Sequence, residues 1–361
     1  MRLNFNELIN TSNNKLIIYS RNKRNLEINL NLYLDNNFLR CLYYTLGDGS
    51  FIKGVYLSNI NYRLHADFIK NFDTFFDIHK SEWDFSLTFN ENFTEKQKQE
   101  AINFWKEKLK IKEIKRIYST KFNTNKVGGF KTIYDNKELS KLLLNLLDSL
   151  KDKIYTNKLT KEQLCVILDG ILNAEGSANI DKEKKGLHKI TISFNKHDLK
   201  EKELFSKVLE KLDLLKYSRV GQDRMFIFSK WINHYKFMRI FVENEVIPFS
   251  LHPKRLERLL KGFLNHQRTT SVYKYIKILS IKKKQNLKEM NNFLKHDKSS
   301  LEEAFLRKFN DFGFFIVEGK GIRGKPYTFT INDEGMLFLK TIKKCKLWLK
   351  TIKEENESIT I

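Results

Sequence analysis

Between residues 164 and 172 the apolar positions Leu164, Ile167, Leu168, Ile171 and Leu172 recur at i, i+3, i+4, i+7 and i+8. That spacing lines one face of a helix, and the helix runs out at Glu175-Gly176 in "LDGILNAEGS". Two readings of its end are open. Gly176 is a left-handed terminator with Glu175 solvated, or the carboxylate has a partner cation, because a helix C-terminus already carries partial negative charge. Much earlier, Leu39, Leu42, Tyr43 and Leu46 form a second stripe that ends at Asp48-Gly49 in "CLYYTLGDGSF".

The segments downstream of the two stripes are also alike. Beyond the N-terminal stripe come β-rich material ending in "WDFSLTFN", a helix "TEKQKQEAINFWKEKL", strands around "IKEIKRIYS" and "VGGFKTIYD", and a helix "KELSKLLLNLLDSL". Beyond the stripe at 164–172 come "HKITISFN", a helix "DLKEKELFSKVLEKL", strands around "YSRVGQ" and "RMFIFS", and a helix from Trp231. The pattern predicts an α+β chain with tandem αββαββα repeats over 38–152 and 153–267, related by a pseudo-twofold axis. "SLTFN" and "TISFN" take equivalent places in this scheme. Asn90 follows Asp48 by 42 residues and Asn195 follows Glu175 by 20. The first copy therefore carries an insertion of about 22 residues, placed at "NYRLHADFIKNFDTFFDIHK".

Residues 268–361 change pattern. "VYKYIKILSI", "NLKEMNNFLK" and "SSLEEAFLRKFNDFG" read as short helices, followed by a strand, a basic turn, a returning strand and a last helix "MLFLKTIKKCKLWLK". This is the plan of a winged helix, with Lys320, Arg323 and Lys325 in the wing. "GKGIRG" matches the dinucleotide fingerprint but leads into "KPYTFT", which alternates like a strand, so a hairpin explains its glycines. Residues 1–37, with "RNKRN" at their centre, have no clear pattern and read as a basic arm or an extension.

Charge narrows the class of partner. Lys and Arg number 66 against 43 Asp and Glu, a net charge of +23 spread along 361 residues, with a pI near 9.6. A folded body with that excess seeks a polyanion, nucleic acid first. Alternating strand residues Lys53, Tyr56, Lys115, Arg116, Tyr118, Lys131, Lys189, Arg219, Gln222 and Arg224 form a candidate surface for DNA phosphates or base edges; each alone is also an ordinary solvated residue. No apolar run is long enough to span a membrane, and the first residues have no secretory h-region. Cys41, Cys165 and Cys345 are too few and too dispersed for a disulfide framework or a cysteine zinc site, and two of them fall in apolar helical patterns as buried small hydrophobes.

Gly47, Gly49, Gly170, Ala174 and Gly176 are small where the two carboxylates stand, which permits close approach of the two helices. Packed side by side, they bring Asp48 and Glu175 to the same end. Mutual repulsion there is relieved by a divalent cation, which points to metal-assisted phosphodiester chemistry.

At these residues the chain resembles the LAGLIDADG homing endonucleases: "LDGILNAEG" is close to the motif and "CLYYTLGDG" looks like a diverged first copy. Tyr43 stands where that family has a small glycine, and Leu46 and Asn173 replace its earlier acid. The resemblance implies a monomer whose antiparallel sheets lie on double-stranded DNA, with Asp48 and Glu175 holding Mg²⁺ and one phosphodiester hydrolysed on each strand. It also implies polar residues near the scissile phosphate at Asn90 and Asn195, for which a helix-capping role is the alternative, and a peripheral lysine at Lys254. Some relatives are maturases that bind host intron RNA. Three functional classes are thus open: an intron-homing endonuclease, an RNA splicing factor using the basic surface, and a winged-helix DNA-binding protein. The AT-biased composition and initial Met read as a free-standing intron-type frame in a mitochondrion or other organelle, with a bacterial or archaeal cytoplasm as the alternative.

Overall fold

Several helices begin where a short polar side chain replaces a missing backbone partner. Asp35 accepts from the Phe38 amide at 2.7 Å and opens α1 (Asn36–Asp48), while Thr160 and Gln163 form a reciprocal capping box at the start of α5 (Lys161–Glu175). The computed structural model describes residues 15–18, 25–29 and 34–358, apart from 53, 122, 124, 182, 184, 196, 223, 295–312 and 319–326. It is a mixed α+β chain that divides into two units, and no helix among the described residues is long and apolar enough to cross a membrane.

The first unit comprises Met1–Gly176, Phe194–Leu212 and Pro248–His252. It opens with an antiparallel pair, β1 (Lys15–Ile18) and β2 (Leu26–Asn29), whose Leu26 and Ile28 are buried. The first 37 residues thus contain order that their pattern did not signal. Beyond α1 come β3 (Gly49–Ser50), β4 (Val55–Asn59), α2 (Tyr62–Phe76), β5 (Asp84–Asn90), α3 (Glu95–Leu109), β6 (Arg116–Thr120), β7 (Gly129–Tyr134), α4 (Lys137–Tyr155) and α5. Helix α6 (Leu199–Lys211) belongs to the same unit. The five strands form one sheet in the order β3-β4-β7-β5-β6. Aromatic side chains fill its inner face: Phe130 stacks on Trp105 at 4.2 Å, and Trp83 packs against Phe68, Phe72 and Tyr134.

The second unit comprises Ser177–Ser193, Asp213–Ile247 and Pro253–Ile361. Strands β8 (Gly176–Ile180), β9 (Leu187–Ser193), β10 (Arg219–Gly221) and β11 (Met225–Phe228) form a sheet in the order β10-β11-β9-β8. Helices α7 (Trp231–Glu243), α8 (Pro253–Asn265) and α9 (Gln267–Lys282) come next, then β12 (Lys284–Asn286), α10 (Leu287–Leu294), β13 (Phe315–Glu318), β14 (Thr328–Ile331) and α11 (Asp333–Ser358). The last three strands make a sheet in the order β12-β14-β13. Glu334 of α11 accepts from Lys236 at 2.6 Å and Arg239 at 2.5 Å, both on α7. The expected third helix over 299–313 falls almost wholly outside the described residues, as do Lys53, the "GKGIRG" hairpin and the wing residues Lys320, Arg323 and Lys325.

Strand order corrects the expected equivalence of "SLTFN" and "TISFN". The first of these, in β5, lies beyond β7 from β4, whereas the second, in β9, sits beside β8. Matching β3-β4-β7-β5 to β8-β9-β11-β10 puts β5 in the place of β10, and α2 in the chain position of α6. The extra piece is therefore the α3-β6 crossover and not the stretch at 61–80. The physical reason is that β6 pairs with β5 in parallel, a pairing that needs a crossover helix between the strands.

Candidate functional site at the paired helix ends

Helices α1 and α5 pack in parallel along their length. At their beginnings Asn36 donates to the Glu162 carboxylate at 2.7 Å. Near their ends, a Cβ on Gly47 would stand 2.7 Å from the Ala174 Cβ, and one on Gly170 would stand 2.9 Å from the Tyr43 Cβ and 2.7 Å from the Arg40 carbonyl oxygen. Gly47 to Ala174 and Tyr43 to Gly170 are both intervals of 127 residues, and the same interval separates Asp48 from Glu175. The two acids thus occupy corresponding positions at one end of the pair, each half-exposed. The Glu175 Oε1 lies only 3.0 Å from the Cβ position of Gly47, beside the residue preceding Asp48.

Tyr43, a large residue where the two helices meet, is accommodated because its partner position is Gly170. Large meets small, and the backbones remain close. The terminating glycines act differently from the left-handed reading: Gly49 has φ −144° and Gly176 φ −86°, both extended. They are needed for room, since a Cβ would come within 2.2 Å of the Tyr56 carbonyl oxygen at Gly49 and 2.5 Å of the Leu172 carbonyl oxygen at Gly176.

Asp48 is held from the adjacent hairpin. The register of β3 on β4 pairs Gly49 with Leu57 and Ser50 with Tyr56, which carries Asn59 back to the helix end. There the Asn59 Nδ2 donates to the Asp48 Oδ2 at 2.6 Å. Asn59 is itself fixed by buried His65, whose Nε2 donates to the Asn59 carbonyl at 3.0 Å while its Nδ1 accepts from the Thr132 hydroxyl at 2.8 Å. Burial lowers the His65 pKa to about 4, so the ring is neutral and this tautomer is consistent with both bonds.

On the α5 side, Glu175 and Asn195 line one cleft of about 410 Å³ together with Tyr43, Gly47, Lys151 and Glu201. The Asn195 amide donates to Glu201 at 2.7 Å, and its Oδ1 accepts from the His197 amide at 3.0 Å. Asn90 makes the same local turn, accepting from the Asn92 amide at 2.9 Å. Neither is a helix cap: Thr94 caps α3 and Asp198 caps α6. Asn90 ends β5 and is not part of the cleft. Lys254 is exposed at the start of α8, in the second unit.

Sequence reasoning missed a buried polar network built on α5 itself. Asp169 accepts from the Ser250 hydroxyl at 2.5 Å, the Ser250 amide at 3.1 Å and Asn173 at 3.0 Å, with the Arg40 guanidinium 3.8 Å away. Asn173 in turn accepts from the Leu251 amide at 3.0 Å, and Asn61 donates to the Leu251 carbonyl at 2.8 Å. Burial raises the Asp169 pKa to about 6 despite Arg40 and Ser250. The i, i+4 spacing of Asp169 and Asn173 was the available signal; that Ser250 and Leu251 return to meet them was not readable.

The sheet of the first unit gathers four of the predicted nucleic-acid contacts on one face. Strand register puts Ser58, Lys131, Ser86 and Arg116 in one row across β4, β7, β5 and β6, with Tyr56 and Tyr118 on the same side. The Lys131 ammonium stands 3.7 Å from the centre of the Tyr56 ring, a cation–π contact. Arg116 and Tyr118 are exposed, whereas Lys115 forms an ion pair with Asp84. In the second unit, Lys189 and Arg219 share a face by register, and Gln222 and Arg224 lie exposed in the turn between β10 and β11. All three cysteines are buried thiols. Asp73, Asp77 and His79 form an exposed group, with His79 2.8 Å from Asp73 and 3.5 Å from Asp77.

No family model matches this chain, and no curated protein matches it.

Proposed function

We propose that this chain is a Mg²⁺-dependent, site-specific double-strand DNA endonuclease of the LAGLIDADG type, built from two diverged repeats with a winged-helix domain at 268–361 and acting as a monomer. The observation that carries the reading is the common interval of 127 residues along α1 and α5, which sets Asp48 and Glu175 level at one end of the pair. Two half-exposed carboxylates offer the hard oxygen donors that Mg²⁺ takes, usually one or two together with water. When bound, the ion supplies Lewis-acid stabilisation of phosphoryl charge and a water of lowered pKa. Asn59 holds Asp48 in one orientation, and the Asn195 turn borders the cleft that Glu175 enters. Arg116, Lys131, Lys189 and Arg219 contact phosphates and base edges, and fix the duplex by charge and register.

The test is cleavage of a randomised duplex library by the full chain with Mg²⁺. Asp48→Asn and Glu175→Gln are each expected to lose roughly 100-fold or more of activity, the scale set by losing one preorganised charged group. Undiminished cutting by both variants overturns the assignment.

The 2.6 Å Asn59–Asp48 bond favours a second reading, because it already engages one oxygen that a metal would use. In that reading the basic faces bind host intron RNA and assist splicing, independently of the acids. Splicing that survives both acid substitutions and fails on charge reversal at Arg116 and Lys131 selects it.

A further inference from the structure

We propose that a cleft at the N-terminal ends of β5 and β6 is a binding site for a nucleotide, one aromatic base with its phosphate, separate from the paired acids. The cleft holds about 500 Å³, within the roughly 300–1,000 Å³ typical of small-ligand sites. Its lining combines two chemistries that a single ligand must satisfy. Lys80, Lys110, Lys112 and Lys115 stand around it against one acid, Glu113. Of these four lysines, Lys115 alone has an ion-pair partner among the described residues, Asp84. The apolar part is made of buried Trp83, Phe85 and Ile111.

A bare phosphate would leave that apolar surface uncovered, and a neutral aromatic would leave the ammonium groups without a counter-charge. A phosphorylated aromatic meets both. Trp83 is held in place, with ring centres 5.2 Å from Phe68, 5.5 Å from Phe72 and 5.4 Å from Tyr134. The aromatic wall is therefore preformed, so binding requires little ordering.

Equilibrium dialysis of the full chain with adenosine monophosphate, a single-stranded pentanucleotide and inorganic phosphate tests the assignment. Saturable nucleotide binding is expected, with at least tenfold loss in a Lys80→Glu/Lys112→Glu double variant. Both substituted positions are exposed, so the fold is expected to tolerate them. Equal affinity for mononucleotide and pentanucleotide identifies a free nucleotide as the ligand, and tighter pentanucleotide binding identifies a strand; both support the site. Full competition by equimolar phosphate, unchanged binding in the double variant, or no binding at millimolar nucleotide overturns it. The Asp48→Asn/Glu175→Gln chain should bind normally, which separates this site's failure from that of the nuclease reading.

Discussion

Tyr43 of α1 rests on Gly170 of α5, so closely that a Cβ at residue 170 would stand 2.9 Å from the tyrosine Cβ. The same closeness recurs one turn later between Gly47 and Ala174. Adding a methyl at Gly47 should therefore force the helices apart at the level of the two acids. Gly47→Ala is expected to cost about 1–3 kcal/mol, the usual range for overpacking. Ala174→Gly alone costs about 1 kcal/mol by helix propensity, yet in the double variant it should recover part of the Gly47→Ala loss. Denaturant midpoints of the four proteins measure the coupling, and strict additivity would show that the two residues do not meet.

Asn59 is predicted to act on metal binding through Asp48, although its Oδ1 also accepts from the Asn61 amide at 2.7 Å. Asn59→Ala removes the 2.6 Å bond and should weaken metal affinity by about 10- to 100-fold, as loss of a ligand-orienting partner does. DNA binding in the absence of metal should not change. Calorimetric titration with Mg²⁺ or Mn²⁺, beside a DNA-binding isotherm, separates the two effects.

Asp169→Ala should destabilise more than Ser250→Ala. Removing the carboxylate leaves the largely buried Arg40 without one of its two counter-charges, a loss near the lower end of about 3–5 kcal/mol because Asp67 remains 3.5 Å away. Ser250→Ala removes the hydroxyl that donates to Asp169 and accepts from Arg40 at 3.2 Å and Asn173 at 3.4 Å, leaves Asp169 its other partners, and should cost about 1–3 kcal/mol. The reverse order in urea melts would mean that Arg40 carries no weight there.

Acid should destabilise the chain between pH 6.5 and about 4. His65 and His234 are buried with pKa values lowered to about 4, so the unfolded state takes up protons first as pH falls and stability drops. Asp169, raised to about 6, works in the opposite sense, because the fold holds its proton at pH values where the unfolded chain has released it. Taken by themselves, these two histidines against one aspartate leave a net of about one proton near pH 5, or roughly 1.4 kcal/mol per pH unit. Melting temperatures across that window should fall, and His65→Leu should flatten the slope by more than half.

Lys131→Ala and Arg116→Ala should weaken DNA binding across unrelated sequences. Each lost phosphate contact lowers the steepness of log affinity against log salt by about 0.9. A change confined to one target sequence, with the salt slope intact, would instead make that residue a base reader.

Much of this was legible before folding. The spacing of Leu164, Ile167, Leu168, Ile171 and Leu172 fixed α5, the stripe from Leu39 to Leu46 fixed α1, and the glycines beside each acid announced close packing, because helix period and side-chain size are local properties. The short-range signals stopped at pairing. "SLTFN" and "TISFN" look alike and make like turns, yet they occupy different places in their sheets, since strand order is decided by which distant edge is free to pair. Asn90 and Asn195 read equally well as caps or site residues, and only the backbone showed that Thr94 and Asp198 do the capping.

The sequence by itself determined that two apolar helices end in carboxylates and that a strongly basic body surrounds them. Tertiary structure alone decided that those ends are level, that Asn59 holds Asp48, and that Ser250 closes on Asp169. Periodicity is set by neighbours three or four residues apart, whereas register between helices is set by close contact at Gly47 and Gly170, across 127 residues of chain.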